Sequence, residues 1–169
     1  MGGSPIHPIE RVLYRAQLMA QEYAMLEGRL QEQFQHVLRL PCIAPIQGPI
    51  VSEFGFRRDP FHGHWQMHTG VDISAPYGAP VRATAGGMVR AAGWDAGGYG
   101  LQVEVDHQNG LITKYAHLSR IAVAAGDTVQ RGQVIGYVGS TGYSVAPHLH
   151  YEVIEKGVKV NPRKYLLLF

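Results

Sequence analysis

Three short segments hold residue types that could share one ion or one reacting group. His68 and Asp72 stand four apart in "HTGVDI", His117 lies in "KYAHLS", and His148 and His150 flank one leucine in "APHLHYEV". Imidazole nitrogen and carboxylate oxygen are both suitable zinc ligands. A catalytic zinc takes three protein ligands and keeps a fourth position for water. His68, Asp72 and one member of the His148/His150 pair supply that number. Water in the fourth position has its pKa lowered to about 7, which makes a nucleophile at neutral pH. The remaining histidines could then move protons or stabilise an oxyanion. Residue types and spacing leave open whether both members of the pair ligate, which would close the site and make it structural.

These side chains need elements that aim them. "APHLHYEV" reads as a β-strand, where alternate side chains share a face, so His148 and His150 point the same way. Gly70 and its surroundings favour extended structure for "WQMHTGVDISAP". An even offset then puts His68 and Asp72 on one face as well. "LQVEVDH" and "LITKYAHL" flank Gln108-Asn109-Gly110, a strong hairpin signal that places His117 near the end of the second strand. Another turn is expected at Lys156-Gly157. With 21 glycines and 10 prolines in 169 residues and no helical run after Pro45, residues 41–169 read as an antiparallel β domain.

The N-terminal part has another texture. From Ile9 to Leu40 there is no proline and one glycine, Gly28, and apolar residues recur at alternating three- and four-residue spacing. Ile9, Val12, Ala16, Met19, Tyr23, Leu26, Leu30, Val37 and Leu40 form a heptad seam, with Gln33 as its polar intrusion. The expectation is a flexible tail over 1–8, an amphipathic helix over 9–40, and a stop at Pro41 and Pro45. The seam needs a partner, either another chain in a coiled coil or the β domain of the same chain, where it would restrain activity. Ala16, Tyr23 and Gln33 weaken a dimer seam, which favours the fold-back arrangement.

Composition bounds the rest. Apolar residues make up 46% and charged residues 17%, and the formal charge is +2. This composition suits a packed core and gives no argument for nucleic-acid binding. A lone Cys42 excludes an internal disulfide and a cysteine zinc cluster, and it reads as a small buried apolar residue. The chain shows neither a secretory pattern at its start nor an apolar run long enough to span a bilayer, which suits a processed or excised soluble fragment.

In this order, "HTGVDISAPYGAPV", "YAHLS" and "GSTGYSVAPHLHYEV" resemble the lysostaphin/LytM-type zinc endopeptidases that cut bacterial cell-wall peptides. The likeness runs from about Ile46 to Leu166. It implies a mainly β LytM-like catalytic domain and one zinc held by His68, Asp72 and His150. It also implies His117 and His148 as the catalytic pair and a place in the cell envelope, in the periplasm or at the cell surface. The expected substrate is the peptide cross-link of peptidoglycan. "FGFRRDPF" with "HTGVDISAPYGAPV" resembles members that cut D-alanyl-diaminopimelate links, as D,D-endopeptidases do. Some relatives have lost zinc ligands and activate other hydrolases, but every element of the motif set is present here. The rival reading is a non-catalytic or autoinhibited module that binds cell wall. No histidine is followed by glutamate, so the helical His-Glu-x-x-His signature is absent and histidines must do the acid-base work.

Other residues carry weaker signals. His62 and His64 read as a solvated loop, and His7, His36 and His107 as exposed. Trp65, Trp94, Tyr99 and Tyr143 could wall a peptide groove or pack in the core. Arg57 and Arg58 could meet a substrate carboxylate, with a surface salt bridge favoured.

Overall fold

The apolar-periodic segment forms a single helix, α1 (Pro8–Leu38). Its start is capped locally. The His7 N–H donates to Glu10 at 3.1 Å, the Ile9 N–H meets His7 Nδ1 at 3.4 Å, and Pro8 occupies the first turn, where a missing N–H costs nothing. The helix begins one residue before the expected limit and stops two residues short of it. None of its residues is buried. The computed structural model describes residues 7–58 and 63–166, so the tail up to Ile6 and His62 lie outside the described residues. The chain divides into two compact units, residues 1–37 and 38–169.

The second unit is the expected antiparallel β domain. Its strands are β1 (Ile50–Ser52), β2 (Gly55–Arg58), β3 (Trp65–His68), β4 (Val71–Ser74), β5 (Pro80–Arg82), β6 (Gly87–Asp95), β7 (Gly100–Asp106), β8 (Leu111–Ile121), β9 (Thr128–Val129), β10 (Val134–Val138), β11 (His148–Glu155) and β12 (Val158–Val160). The main sheet runs β1-β4-β11-β8-β7-β6-β9, with β12 on β11 and β10 joining β5 to β8, while β2 and β3 form a separate two-stranded sheet. Both predicted turns form. Gln108 and Gly110 take positive φ (59° and 83°) between β7 and β8, and Lys156-Gly157 (49° and 83°) makes the two-residue β11–β12 turn.

Alternation gives the long strands two faces. Val71, Ile73, Tyr115, Leu118, Leu149, Tyr151 and Val153 are fully buried on the core side. The two tyrosine hydroxyls there are satisfied together at Thr84 Oγ1, at 2.9 and 3.0 Å. Two minor expectations need correction. His107 is fully buried, and Gly86 O and Thr113 Oγ1 satisfy both ring nitrogens at 2.8 and 2.9 Å, so that burial leaves no polar atom of the ring unpaired. Cys42 is free and only half-buried.

Candidate functional site

Asp72 and His150 come together through strand pairing. They are direct partners in the β4–β11 register, on neighbouring strands of the main sheet. His68 arrives differently from the expectation. It ends β3 in the small sheet, and the chain crosses to the main sheet through Thr69 and Gly70 before Asp72. One continuous strand therefore does not set the His68–Asp72 pair; a change of sheet does. Gly70 makes the crossing possible, since a Cβ there would stand 2.4 Å from Tyr151 O and 2.9 Å from the His150 ring.

The three side chains are buried and their ligand atoms form a tight triangle. His68 Nε2 lies 3.1 Å from Asp72 Oδ1 and 3.2 Å from His150 Nδ1, and His150 Nδ1 lies 2.8 Å from Asp72 Oδ1. Outer partners assign the tautomers. His68 Nδ1–H donates to Glu53 O at 2.7 Å, and His150 Nε2–H donates to Glu152 Oε1 at 3.1 Å. Two imidazole lone pairs and a carboxylate oxygen thus converge on one point, an arrangement that a cation relieves. Zinc bonds of about 2.0–2.2 Å at tetrahedral angles place ligand atoms about 3.3–3.6 Å apart, somewhat wider than the observed edges of 2.8–3.2 Å, so a small opening of the triangle seats the ion. The residues fit a zinc ion. His148 stands further back, with Nε2 3.7 Å from Asp72 Oδ1.

Glu152 was missed by the sequence reading, although it sits two residues after His150 and so on the same face. It is fully buried, and Oε1 also accepts from Tyr99 OH at 2.9 Å, from Lys159 Nζ at 3.0 Å and from Thr69 Oγ1. Burial opposes its ionisation, but the His150 hydrogen bond and charge outweigh this, with Thr69 and Lys159 adding to them, and bring its pKa down to about 2. Burial likewise opposes the Asp72 charge, and whenever His150 and His68 take up a second proton in the metal-free site their hydrogen bonds and charge hold that carboxyl well below the usual range. His150 is desolvated, yet the Asp72 and Glu152 carboxylates raise its pKa. The cluster is rich in negative charge at the centre and fixed from behind.

His117 owes its place to a backbone irregularity. Ala116 is paired with His150 and shares its face, so simple alternation would turn His117 towards the core. The β7–β8 register instead slips between Leu101 and Val103, and His117 takes φ 60°. This bulge brings its ring to 4.8 Å from that of His148 and 5.8 Å from that of His150. A positive φ on a non-glycine residue is uncommon and concentrates at functional sites. His117 Nδ1–H donates to Thr141 O and His148 Nδ1–H to Ala146 O, both at 2.8 Å. Each ring thus keeps the Nε2 lone pair. Burial first, then the neighbouring His148 and His150 charges, lower the His117 pKa to about 4 against the opposing pull of the Thr141 carbonyl and the Asp72 charge.

All five residues line one cavity of about 530 Å³, with Arg57, Tyr99 and Tyr143 also in its wall. Arg57 differs from the expected surface salt bridge: Nη2 meets Asp72 Oδ2 at 3.4 Å, beside the ligand cluster. Trp65, Trp94 and His64 are exposed and do not line the cavity.

The antiparallel domain and its convergent His-Asp-His group define a metallopeptidase class. Residues 66–162 match peptidase family M23, and the chain belongs to that family. It is 51% identical over 113 residues to the DD-carboxypeptidase/endopeptidase Mpg of Neisseria meningitidis, covering 67% of this chain and 26% of that protein. It is 41% identical over 117 residues to the peptidoglycan DD-endopeptidase ShyC of Vibrio cholerae, covering 68% and 26%. The chain spans about a quarter of the length of these relatives. The lysostaphin catalytic domain of Staphylococcus simulans superposes with TM-score 0.65 at 34% identity, covering 70% of this chain and 91% of that one. A zinc containing peptidase from Vibrio cholerae gives TM-score 0.64 at 35% identity, covering 73% and 38%.

Proposed function

We propose that this chain is a zinc-dependent endopeptidase that hydrolyses peptide cross-links of bacterial peptidoglycan in the cell envelope, at D-alanyl-diaminopimelate bonds. One observation carries the reading: two imidazole lone pairs and one carboxylate oxygen converge inside a cavity that two further histidines share. The relatives named for DD-endopeptidase activity support the choice of bond.

His68 Nε2, Asp72 Oδ1 and His150 Nδ1 would hold the zinc. Bound there, it would supply Lewis acidity towards a peptide carbonyl and towards water. His117 stays neutral at pH 7 because it is buried, so its Nε2 lone pair accepts a proton from the attacking water. The same nitrogen then returns a proton to the leaving amine. His148, with Nδ1–H committed to Ala146 O, sets its Nε2 beside the ligand cluster to share this proton traffic, and once that nitrogen has taken up a proton its N–H steadies the oxyanion. Glu152 fixes which nitrogen of His150 faces the centre. Residues 9–40 take a partner-binding role through their apolar seam, as a coiled coil or a regulatory contact. Sedimentation of the chain against a version beginning at Leu38 tests that role, and equal association with equal turnover would remove it.

The decisive experiment is mass spectrometry of the products released from defined cross-linked muropeptides, with and without a zinc chelator. New D-alanyl carboxyl and diaminopimelate amine ends, lost with the chelator, are expected. A zinc-loaded chain that binds peptidoglycan without cleaving it would make the domain a binding module instead.

A further inference from the structure

One guanidinium stands beside the ligand cluster with most of its donors unspent among the described residues. The β2–β3 register sets Arg57 opposite Gln66 and Gly55 opposite His68. Directly opposed residues share a face, as do residues two apart, so Arg57, Gln66 and His68 look out on one side of this small sheet. All three line the cavity.

Arg57 Nη2 donates to Asp72 Oδ2, the carboxylate oxygen outside the ligand triangle, at 3.4 Å. That is long for a charge-assisted hydrogen bond, which ordinarily runs about 2.7–2.9 Å, and it uses one donor of the five that a guanidinium carries. Nε is buried without a hydrogen-bond partner among the described residues, while the side chain as a whole is 36% exposed. Among the described residues that line the cavity, no other is a lysine or arginine. Beside the zinc that this centre would hold, an anionic group entering next to the reacting bond meets one cationic side chain of the cavity wall, Arg57.

We propose that Arg57 binds a carboxylate on the amine side of the scissile bond and thereby selects diaminopimelate cross-links over uncharged ones. The inference rests on the endopeptidase reading above and adds a residue that decides substrate class. In a D-alanyl-diaminopimelate link, the carbon bearing the acylated nitrogen also bears a carboxylate, two bonds from that nitrogen. Links through glycine or through a lysine side chain carry no charge at that position. One extended residue spans about 3.5 Å, so a group this near the reacting amide falls within reach of a guanidinium that already touches Asp72. The planar fork suits a carboxylate in two-pronged contact, which an ammonium cannot reproduce.

The test uses one cross-linked muropeptide in two forms, with that carboxyl free or amidated, given to the zinc-loaded chain and to Arg57→Gln, with bound zinc measured in both. The unaltered chain should prefer the free acid in kcat/KM by roughly 10- to 100-fold, the reach of charge-assisted hydrogen bonds. The preference should fall to near one in Arg57→Gln and lie between these values in Arg57→Lys. Equal turnover of both forms by the unaltered chain would overturn the inference while leaving the endopeptidase reading intact. A preference that survives in Arg57→Gln, with both forms slowed alike, would also overturn it and leave Arg57 as a support for Asp72. If Arg57→Gln loses zinc, the free-against-amidated comparison in the unaltered chain and in Arg57→Lys decides. Cleavage of neither form by the unaltered chain would sink the proposed activity and this inference with it.

Discussion

His68 and His150 are anchored from behind by Glu53 O and the buried Glu152, whereas His117 and His148 lean on Thr141 O and Ala146 O. His150 meets Asp72 through the β4–β11 register, and His68 reaches them through the crossing between sheets at Thr69 and Gly70. The second depends on the loop between β10 and β11, which supplies both carbonyls, and on a bulge in β8. The contrast matches the division of labour proposed above. Binding a cation needs atoms fixed to tenths of an ångström, which sheet pairing and a buried carboxylate provide. Proton transfer needs rings aimed at a substrate, and the loop that walls the cavity orients both through its carbonyls at 2.8 Å while facing the open side.

The strongest way to break the comparison is to remove a ligand. His68→Ala, Asp72→Ala or His150→Ala should lower bound zinc from about one per chain to near none and abolish cleavage, as read by elemental analysis and muropeptide turnover. Full zinc in all three variants would make the ligand group wrong. His117→Ala and His148→Ala should instead keep zinc and lose roughly 10²–10⁴-fold in turnover. If His148→Ala empties the site while His150→Ala leaves it filled, the two roles are reversed.

Acid separates the groups by stability. Burial holds His117 at about 4 in the folded chain, against an ordinary value near 6.5, so the unfolded chain takes up a proton that the folded chain refuses. Its contribution is complete above pH 6.5 and is lost as pH falls through 4, about 3 kcal/mol over that window. Burial shifts His107 in the same direction, so it adds to the loss below the ordinary histidine value. Glu152, lowered to about 2, contributes above pH 4.5 and stops contributing as pH falls through 2. Denaturant unfolding at pH 7 and pH 4.5 should show the drop, and His117→Asn should show a shallower one. An equal slope in that variant would count against the His117 assignment.

Two gentler substitutions sharpen the same contrast. Glu152→Gln should weaken zinc binding by roughly 10- to 100-fold in competition with a chelating dye, with turnover at saturating zinc changed less. Thr141→Val acts on the other group. It removes Oγ1, which donates to Leu118 O at 2.7 Å and accepts from Leu101 N–H at 3.0 Å. Turnover should fall by about 10-fold, in keeping with loss of one or two hydrogen bonds, with zinc affinity unchanged. A fall in zinc affinity would mean that the loop also supports the ligands.

Much of the site is legible in the sequence, because ligand chemistry depends on residue type and strand alternation on local spacing. His148 and His150 do share a face, and the turns at Asn109-Gly110 and Lys156-Gly157 form where glycine and its neighbours allow positive φ. Glu152 could have been found from the same alternation, at an even offset from His150. His107 could not, since its burial comes from Gly86 and Thr113, partners set by the β6–β7–β8 packing.

The sequence by itself determined the residue types of the centre, the antiparallel character of the domain and the amphipathic helix before it. Each follows from chemistry or periodicity that neighbouring residues carry. Residue spacing left His148 and His150 equivalent, and the family resemblance only named His150. The tertiary structure gives the physical reason that His150 stands in the triangle and His148 behind it, because the β4–β11 register opposes Asp72 to His150. It alone turned His117 towards the cavity, since a bulge reverses the face that alternation assigns. It also set Arg57 against Asp72, and Thr69, Tyr99 and Lys159 around Glu152. These contacts join residues far apart in the chain, and their directions depend on strand register and packing that no local pattern encodes.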